Sequence, residues 1–120
     1  MTTEQIANRL VELCRVGNYE QAQKELYHQN AISVEPEGIP NNRVEGMEAI
    51  SRKGEEWAKN VVEVHGGSVS DPIISKDHFS VIMGYDATFK DRGRLKEDQV
   101  AVYKVEDGKI TEERFFYSMG

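Results

Sequence analysis

Apolar residues at Ile6, Leu10, Leu13 and Cys14 recur at helical intervals behind Thr2 and Gln5, whose three-residue spacing matches a capping box. A helix is therefore predicted to about Arg15. Gly17 and Asn18 supply a stop and a fresh N-cap, and Tyr19, Ala22 and Leu26 mark one face of a second, shorter helix. Ala31-Ile32-Ser33-Val34-Glu35 reads as a strand closed by Pro36, and Gly38, Pro40, Asn41 and Asn42 make residues 36–45 a loop. From Gly46 the positions Met47, Ile50, Gly54, Trp57, Ala58 and Val61 return to helical spacing, with Trp57 as the main anchor. Glu48, Arg52, Lys53, Glu55, Glu56 and Lys59 fall to the wetter side of this helix, the longest in the chain.

The period then changes to two. Val62 and Val64 alternate with Glu63 and His65, and Gly66-Gly67 introduces a bulge or bend before Val69. Further strands are predicted at Pro72–Ser75, Phe79–Phe89, Gln99–Val105 and Lys109–Ser118. The run Asp91-Arg92-Gly93-Arg94-Leu95-Lys96-Glu97-Asp98 reads as a solvated loop of mixed charge, without the glycine spacing of a phosphate cradle. Asp107-Gly108 between two alternating runs is the strongest hairpin signal, since a type I′ turn needs positive φ at both positions. Helices followed by antiparallel strands imply an α+β layer in which a curved sheet wraps the long helix and leaves a hollow at its wide end.

The 120 residues are enough for one domain, 1–120, and one core. Apolar residues at 38% and charged residues at 30% suit a globular domain rather than a disordered tail. With 21 acidic against 15 basic residues the net charge is -6, which argues against nucleic acid as a partner. No apolar run approaches the ~20 residues of a membrane span, and Met1-Thr2-Thr3-Glu4 has no basic start, so no membrane partner and a cytoplasmic location are expected. Cys14 is the only cysteine and reads as a buried thiol. His28, His65 and His78 lack ligand spacing, no Gly-x-Ser-x-Gly elbow occurs, and neither metal nor cofactor is expected.

In its order of elements, its Asn30-Ala31-Ile32-Ser33-Val34-Glu35-Pro36 strand, its Val44-Glu45-Gly46-Met47-Glu48-Ala49-Ile50 segment and its Tyr103-to-Ile110 hairpin, the whole chain resembles the nuclear transport factor 2-like superfamily. That superfamily includes SnoaL-like polyketide cyclases and ketosteroid isomerases. The resemblance implies a cone-shaped barrel of the cystatin-like kind, frequent homodimers and a pocket between the long helix and the sheet. It does not license an activity. Against the ketosteroid isomerase pattern, in which an Asp base works with Tyr and protonated-Asp donors, only the base has a counterpart, Glu35 before Pro36. The donor positions fall at Leu10 and near Ala101, neither of which has a proton to offer.

Strand parity turns Glu35 away from Ile32 and Val34 toward the hollow, where a carboxylate could take a proton from carbon beside a carbonyl; the alternative is a solvated strand end. On the last strand, registered from Asp107-Gly108, Glu113, Phe115 and Tyr117 share the inward face, which a one-residue bulge would swap. Tyr117 is then a donor to a ligand oxygen and Glu113 a second acid or partner to a buried cation, the alternative being that Tyr117 packs and Glu113 sits at a wet rim. Met83, Tyr85, Gln99 and Tyr103 line the same hollow, with Trp57 as its wall. Two functions follow. One is binding of a small hydrophobic or amphipathic metabolite with cofactor-free isomerase- or cyclase-type acid–base chemistry on Glu35. The other is a non-catalytic domain whose outer sheet face, carrying Val100, Val102 and Phe116, serves dimerisation or partner binding.

Overall fold

In the computed structural model, which describes residues 1–118, the chain folds as α1 (Thr3–Arg15), α2 (Tyr19–Leu26), β1 (Tyr27–Val34), β2 (Arg43–Glu45), α3 (Met47–Asn60), β3 (Val61–Val69), β4 (Ile73–Ile74), β5 (His78–Phe89), β6 (Gly93–Glu106) and β7 (Lys109–Phe116). The strands form one curved, unclosed sheet in the order β2-β1-β7-β6-β5-β3, with β4 paired to β5. Every pairing is antiparallel except β1 with β7, which run parallel, a pairing that needs a long crossover; α3 and five strands lie between them in sequence. The fold is α+β, as the order of patterns predicts.

The capping box forms: Thr2 Oγ1 accepts from Gln5 N, and Gln5 Oε1 accepts from Thr2 N. The buried stripe of α1 (Ile6, Leu10, Leu13 and Cys14 among others) lies against the sheet together with Leu26, Ile50 and Ile110. Phe79 and Tyr103, directly opposite on β5 and β6, stack at 4.8 Å and complete this core. Asp107 and Gly108 both have positive φ, 50° and 75°, as the predicted hairpin turn requires.

Four local expectations are corrected. The first observed strand begins at Tyr27 rather than Ala31, because α2 passes into β1 without a turn and the register against β7 jumps between Tyr27 and Ile32. Residues 43–45 are a short strand paired back onto β1, held beside the Glu35 N–H to Asn42 O bond of 2.6 Å, rather than loop. The charged run from Gly93 to Asp98 belongs to β6; Arg94 makes a bidentate pair with Asp86 across the ladder at 2.9 and 3.0 Å, so its charges support strand pairing instead of preventing it. Trp57 is no core anchor. It is 44% exposed, and Ile50 is the buried residue of α3, because the far end of that helix stands off the sheet. None of the helices among the described residues is long and apolar enough to cross a membrane.

Candidate functional site

Where α3 leaves the sheet, the inner face changes from packed hydrocarbon to a line of polar groups. Ala31 and Ser33 are fully buried, and the alternation carries Glu35 inward at the strand end, where its side chain is 17% exposed. On α3 the stripe Ile50, Lys53, Trp57 faces the sheet at helical spacing, so Lys53 points inward rather than to the wet side, its side chain 29% exposed. Its ammonium lies 2.9 Å from Glu35 Oε1 and 2.7 Å from Ser33 Oγ, with the Phe115 ring centroid 5.2 Å away.

Ser33 Oγ donates in turn to Glu113 Oε2 at 2.6 Å, and the Tyr27 phenol donates to Glu113 Oε1. Glu113 is 5% exposed. It reaches this position through a bulge: Val105 opposes Ile110 but Lys104 opposes Glu112, so Thr111 is the extra residue and both Ile110 and Glu113 face inward. Burial pushes the Glu113 carboxyl up, while the bonds from Ser33 and Tyr27 and the charge of Lys53 pull the other way. The phenols of Tyr27 and Tyr103 are driven far up, first by burial and then by the charge of Glu113.

Glu35 Oε2 is buried and has no hydrogen-bond partner among the described residues. Tyr117 faces it; burial, and then the Glu35 charge, raise its phenol, which therefore keeps its proton at neutral pH and can act as a donor. Burial raises Tyr85 as well. Trp57 meets Tyr85 and Phe89 edge to face, with centroids 6.2 and 5.8 Å apart. A carboxylate with one oxygen pinned and the other free, a proton-bearing phenol beside it and an aromatic wall can hold a small molecule and exchange a proton with it.

Of the sequence candidates, Glu35, Glu113 and Phe115 converge around Lys53, and Trp57, Tyr85 and Tyr117 stand toward the mouth. Met83 and Gln99 face each other across β5 and β6, half-buried, while Tyr103 is fully buried in the core below. Leu10 and Ala101, at the ketosteroid isomerase donor positions, are packed in the core. Tyr27, Ser33 and Lys53 escaped the sequence reading as site residues. The position of Lys53 three residues after Ile50 and four before Trp57 was the available signal for that residue.

Two hollows accompany this arrangement. One of about 600 Å³ opens beside Tyr117 and is otherwise lined by Lys96, Glu97, Asp98 and Ser118, so it is a polar mouth open to solvent rather than an enclosed apolar cavity. A cleft of about 270 Å³ lies between the α1–α2 turn and the glycine-containing middle of β3. Among the described residues no cluster of His, Cys, Asp and Glu is arranged to hold a metal ion.

The family model of the SnoaL-like domain matches residues 1–117. The crystal structure of a protein from Mesorhizobium loti described as a SnoaL-like polyketide cyclase matches with a TM-score of 0.92 and 38% identity, over 98% of this chain and 100% of that one. A protein of cystatin-like fold from Xanthomonas campestris matches at TM-score 0.79 and 19% identity, covering 97% of this chain and 90% of that one. A protein of ketosteroid isomerase-like fold from Catenulispora acidiphila, in complex with trimethylamine, matches at 0.74 and 18%, covering 98% and 88%. These two likenesses speak to the fold alone. No functionally curated protein is significantly similar in sequence. With the family model spanning nearly the whole chain and a structure 38% identical matched end to end, the chain belongs to the SnoaL-like domain family of the nuclear transport factor 2-like superfamily.

Proposed function

We propose that the domain binds a small amphipathic molecule among Glu35, Trp57, Tyr85, Phe115 and Tyr117, reached from the open hollow beside Tyr117, and exchanges a proton with it through Glu35 in cofactor-free, isomerase- or cyclase-type chemistry. The observation that carries this reading is the buried Oε2 of Glu35, which has no partner among the described residues. An orphaned buried acceptor costs about 1–3 kcal/mol, and a ligand that donates a hydrogen bond there removes that cost. Lys53 holds the other oxygen at 2.9 Å, which leaves Oε2 as the oxygen free to meet a ligand. Tyr117 supplies a donor for the oxygen on which charge develops.

Trp57 is the only tryptophan, so its fluorescence reports occupation of the mouth. Screening small carbonyl and hydroxyl compounds by this signal and by thermal shift should yield ligands whose affinity falls at least about tenfold in Glu35→Gln, the equivalent of ~1.4 kcal/mol. Ligands that bind the folded variant equally well would overturn the proposal.

The outer sheet face favours a second reading that is compatible with the first. Ile82, Val100 and Phe116 form one cross-strand row over β5, β6 and β7, and all three are exposed. A contiguous apolar row of this kind supports a homodimer through that face. Light scattering at micromolar concentration should give twice the monomer mass, and Phe116→Lys should halve it; a monomeric wild type would refute this assignment.

A further inference from the structure

Behind Glu35 stands a second carboxylate that the proposed chemistry leaves unused. We infer that Glu113 is the inner half of a proton-sharing pair with Glu35, joined through Ser33 and Lys53, so that one mobile proton serves both the mouth-facing carboxylate and the buried one. The inference rests on the reading of Glu35 as the ligand-facing base.

The hydrogen bonds have only one consistent sense. An ammonium has protons and no lone pair, so Ser33 Oγ accepts from Lys53 at 2.7 Å, and its single proton turns to Glu113 Oε2 at 2.6 Å. At the outer end Lys53 meets Glu35 Oε1 at 2.9 Å. The chain from Glu35 to Glu113 is therefore unbroken. Two carboxylates against one ammonium leave a negative charge uncompensated in a site largely closed to water, and one shared proton cancels it.

The transfer balances. Once Glu35 has taken a proton from a ligand, Lys53 gives one proton to Ser33 as Ser33 gives its own to Glu113. The Glu35 carboxyl turns to present its proton, gained at Oε2, to the neutral amine of Lys53, which takes it. One O–H bond breaks at Glu35 and one forms at Glu113, while Lys53 and Ser33 finish with the protons they began with. The reverse sequence returns the proton.

The groups facing Glu113 from the elements around it are Tyr27, Ser33 and Glu35 on the first-strand segment, Lys53 on α3, Cys14 on α1 and Tyr103 on β6. The Cys14 thiol, pushed up to about 12 by burial and then by Glu113, and the Tyr103 phenol both stay protonated and do not compete. Glu35 raises the Glu113 carboxyl and Lys53 lowers it.

The test is a carbon NMR titration of the protein labelled at the glutamate carboxyls, with the Glu113 signal assigned by its loss in Glu113→Gln. Glu35→Gln should lower the Glu113 midpoint, and Ser33→Ala should raise it. In the Ser33→Ala background the shift caused by Glu35→Gln should shrink, and Ser33→Thr should restore it. If Ser33→Ala does not fold, Lys53→Met interrupts the next link and should shrink the same shift. An unmoved Glu113, or a shift of equal size with and without the intervening hydroxyl or ammonium, would overturn the inference, since through-space charge alone would then account for it. Failure of the Glu35 reading is seen separately, as ligand binding unchanged by Glu35→Gln, and does not alter this titration.

Discussion

Tyr27→Phe removes a single oxygen from the interior and provides the cleanest measure of the buried carboxylate. Tyr27 is buried, and its phenol donates to Glu113 Oε1. A hydrogen bond to a charged group contributes about 1.5–3 kcal/mol. At roughly 4 °C per kcal/mol for a domain of this size, the melting temperature should fall by about 6–12 °C. The loss should also depend on pH. Burial holds the Glu113 carboxyl above its ordinary 4.5, so the stability contributed by its neutral form is complete below that value and is lost as pH rises through the folded-state value. Without the Tyr27 donor the folded-state value climbs further, and ionisation at neutral pH becomes still less favourable. Urea denaturation of both proteins across the acid-to-neutral range should show a larger difference near neutral pH than below 4.5. A difference under about 0.5 kcal/mol, or one that does not change with pH, would refute the claim that the Tyr27 hydrogen bond favours the ionised form of Glu113 over the neutral one.

Glu25 should behave in the opposite sense. The Arg9 guanidinium holds it by a fork of hydrogen bonds at 2.9 and 2.8 Å, with Gln21 adding another, and the carboxyl is lowered from 4.5 to about 2. The stability it contributes is present above 4.5 and disappears as pH falls toward 2, so Glu25→Gln should flatten that part of the acid-denaturation curve measured by circular dichroism. Gly46, the N-cap of α3, has φ 91° and ψ 152°, and an added Cβ would meet only Gln29 O at 3.9 Å. Gly46→Ala should therefore cost about 1–3 kcal/mol of pure backbone strain in thermal melts, and an unchanged melting temperature would show that this conformation is not required.

The legible part of this site was the part set by strand parity. Alternation alone turns Glu35 inward with Ser33, and Ser33 is found on the inner face of β1 with Glu35 just past its end, largely buried. The inward direction of Glu113 depends equally on the bulge at Thr111, and no side-chain pattern marks that bulge: a regular hairpin from Asp107-Gly108 would have opposed Tyr103 to Glu112 instead of Glu113. Lys53 was hidden by chemistry rather than by spacing. It occupies an inner-stripe position between Ile50 and Trp57, but a charged residue in such a stripe reads as solvated unless its partners are known, and those partners, Ser33 and Glu35, lie on a different element, at the end of β1. Tyr27 was concealed by the direct passage from α2 into β1, where neither helical nor alternating period applies.

The position of the charged line within the fold bears on why it is there. Below it, Leu10, Ile50, Tyr103 and Ile110 fill the narrow end of the cone. Above it, Trp57 and Tyr117 remain partly in water. If the only requirement were to close the space between α3 and the sheet, apolar side chains of similar volume would do so at lower cost, since burying each ion carries a penalty of several kcal/mol and a well-packed apolar replacement is often neutral or stabilising. The charges are instead placed where the interior stops being full, each linked to the next, and among the described residues the buried side-chain polar atom left without a partner is Glu35 Oε2. A local departure from the packing rule at the boundary between core and opening is the kind expected of a working site. Replacing Glu35 by an apolar residue of similar size should accordingly leave the fold intact while removing ligand binding, which separates the need for this charge from the need for its volume.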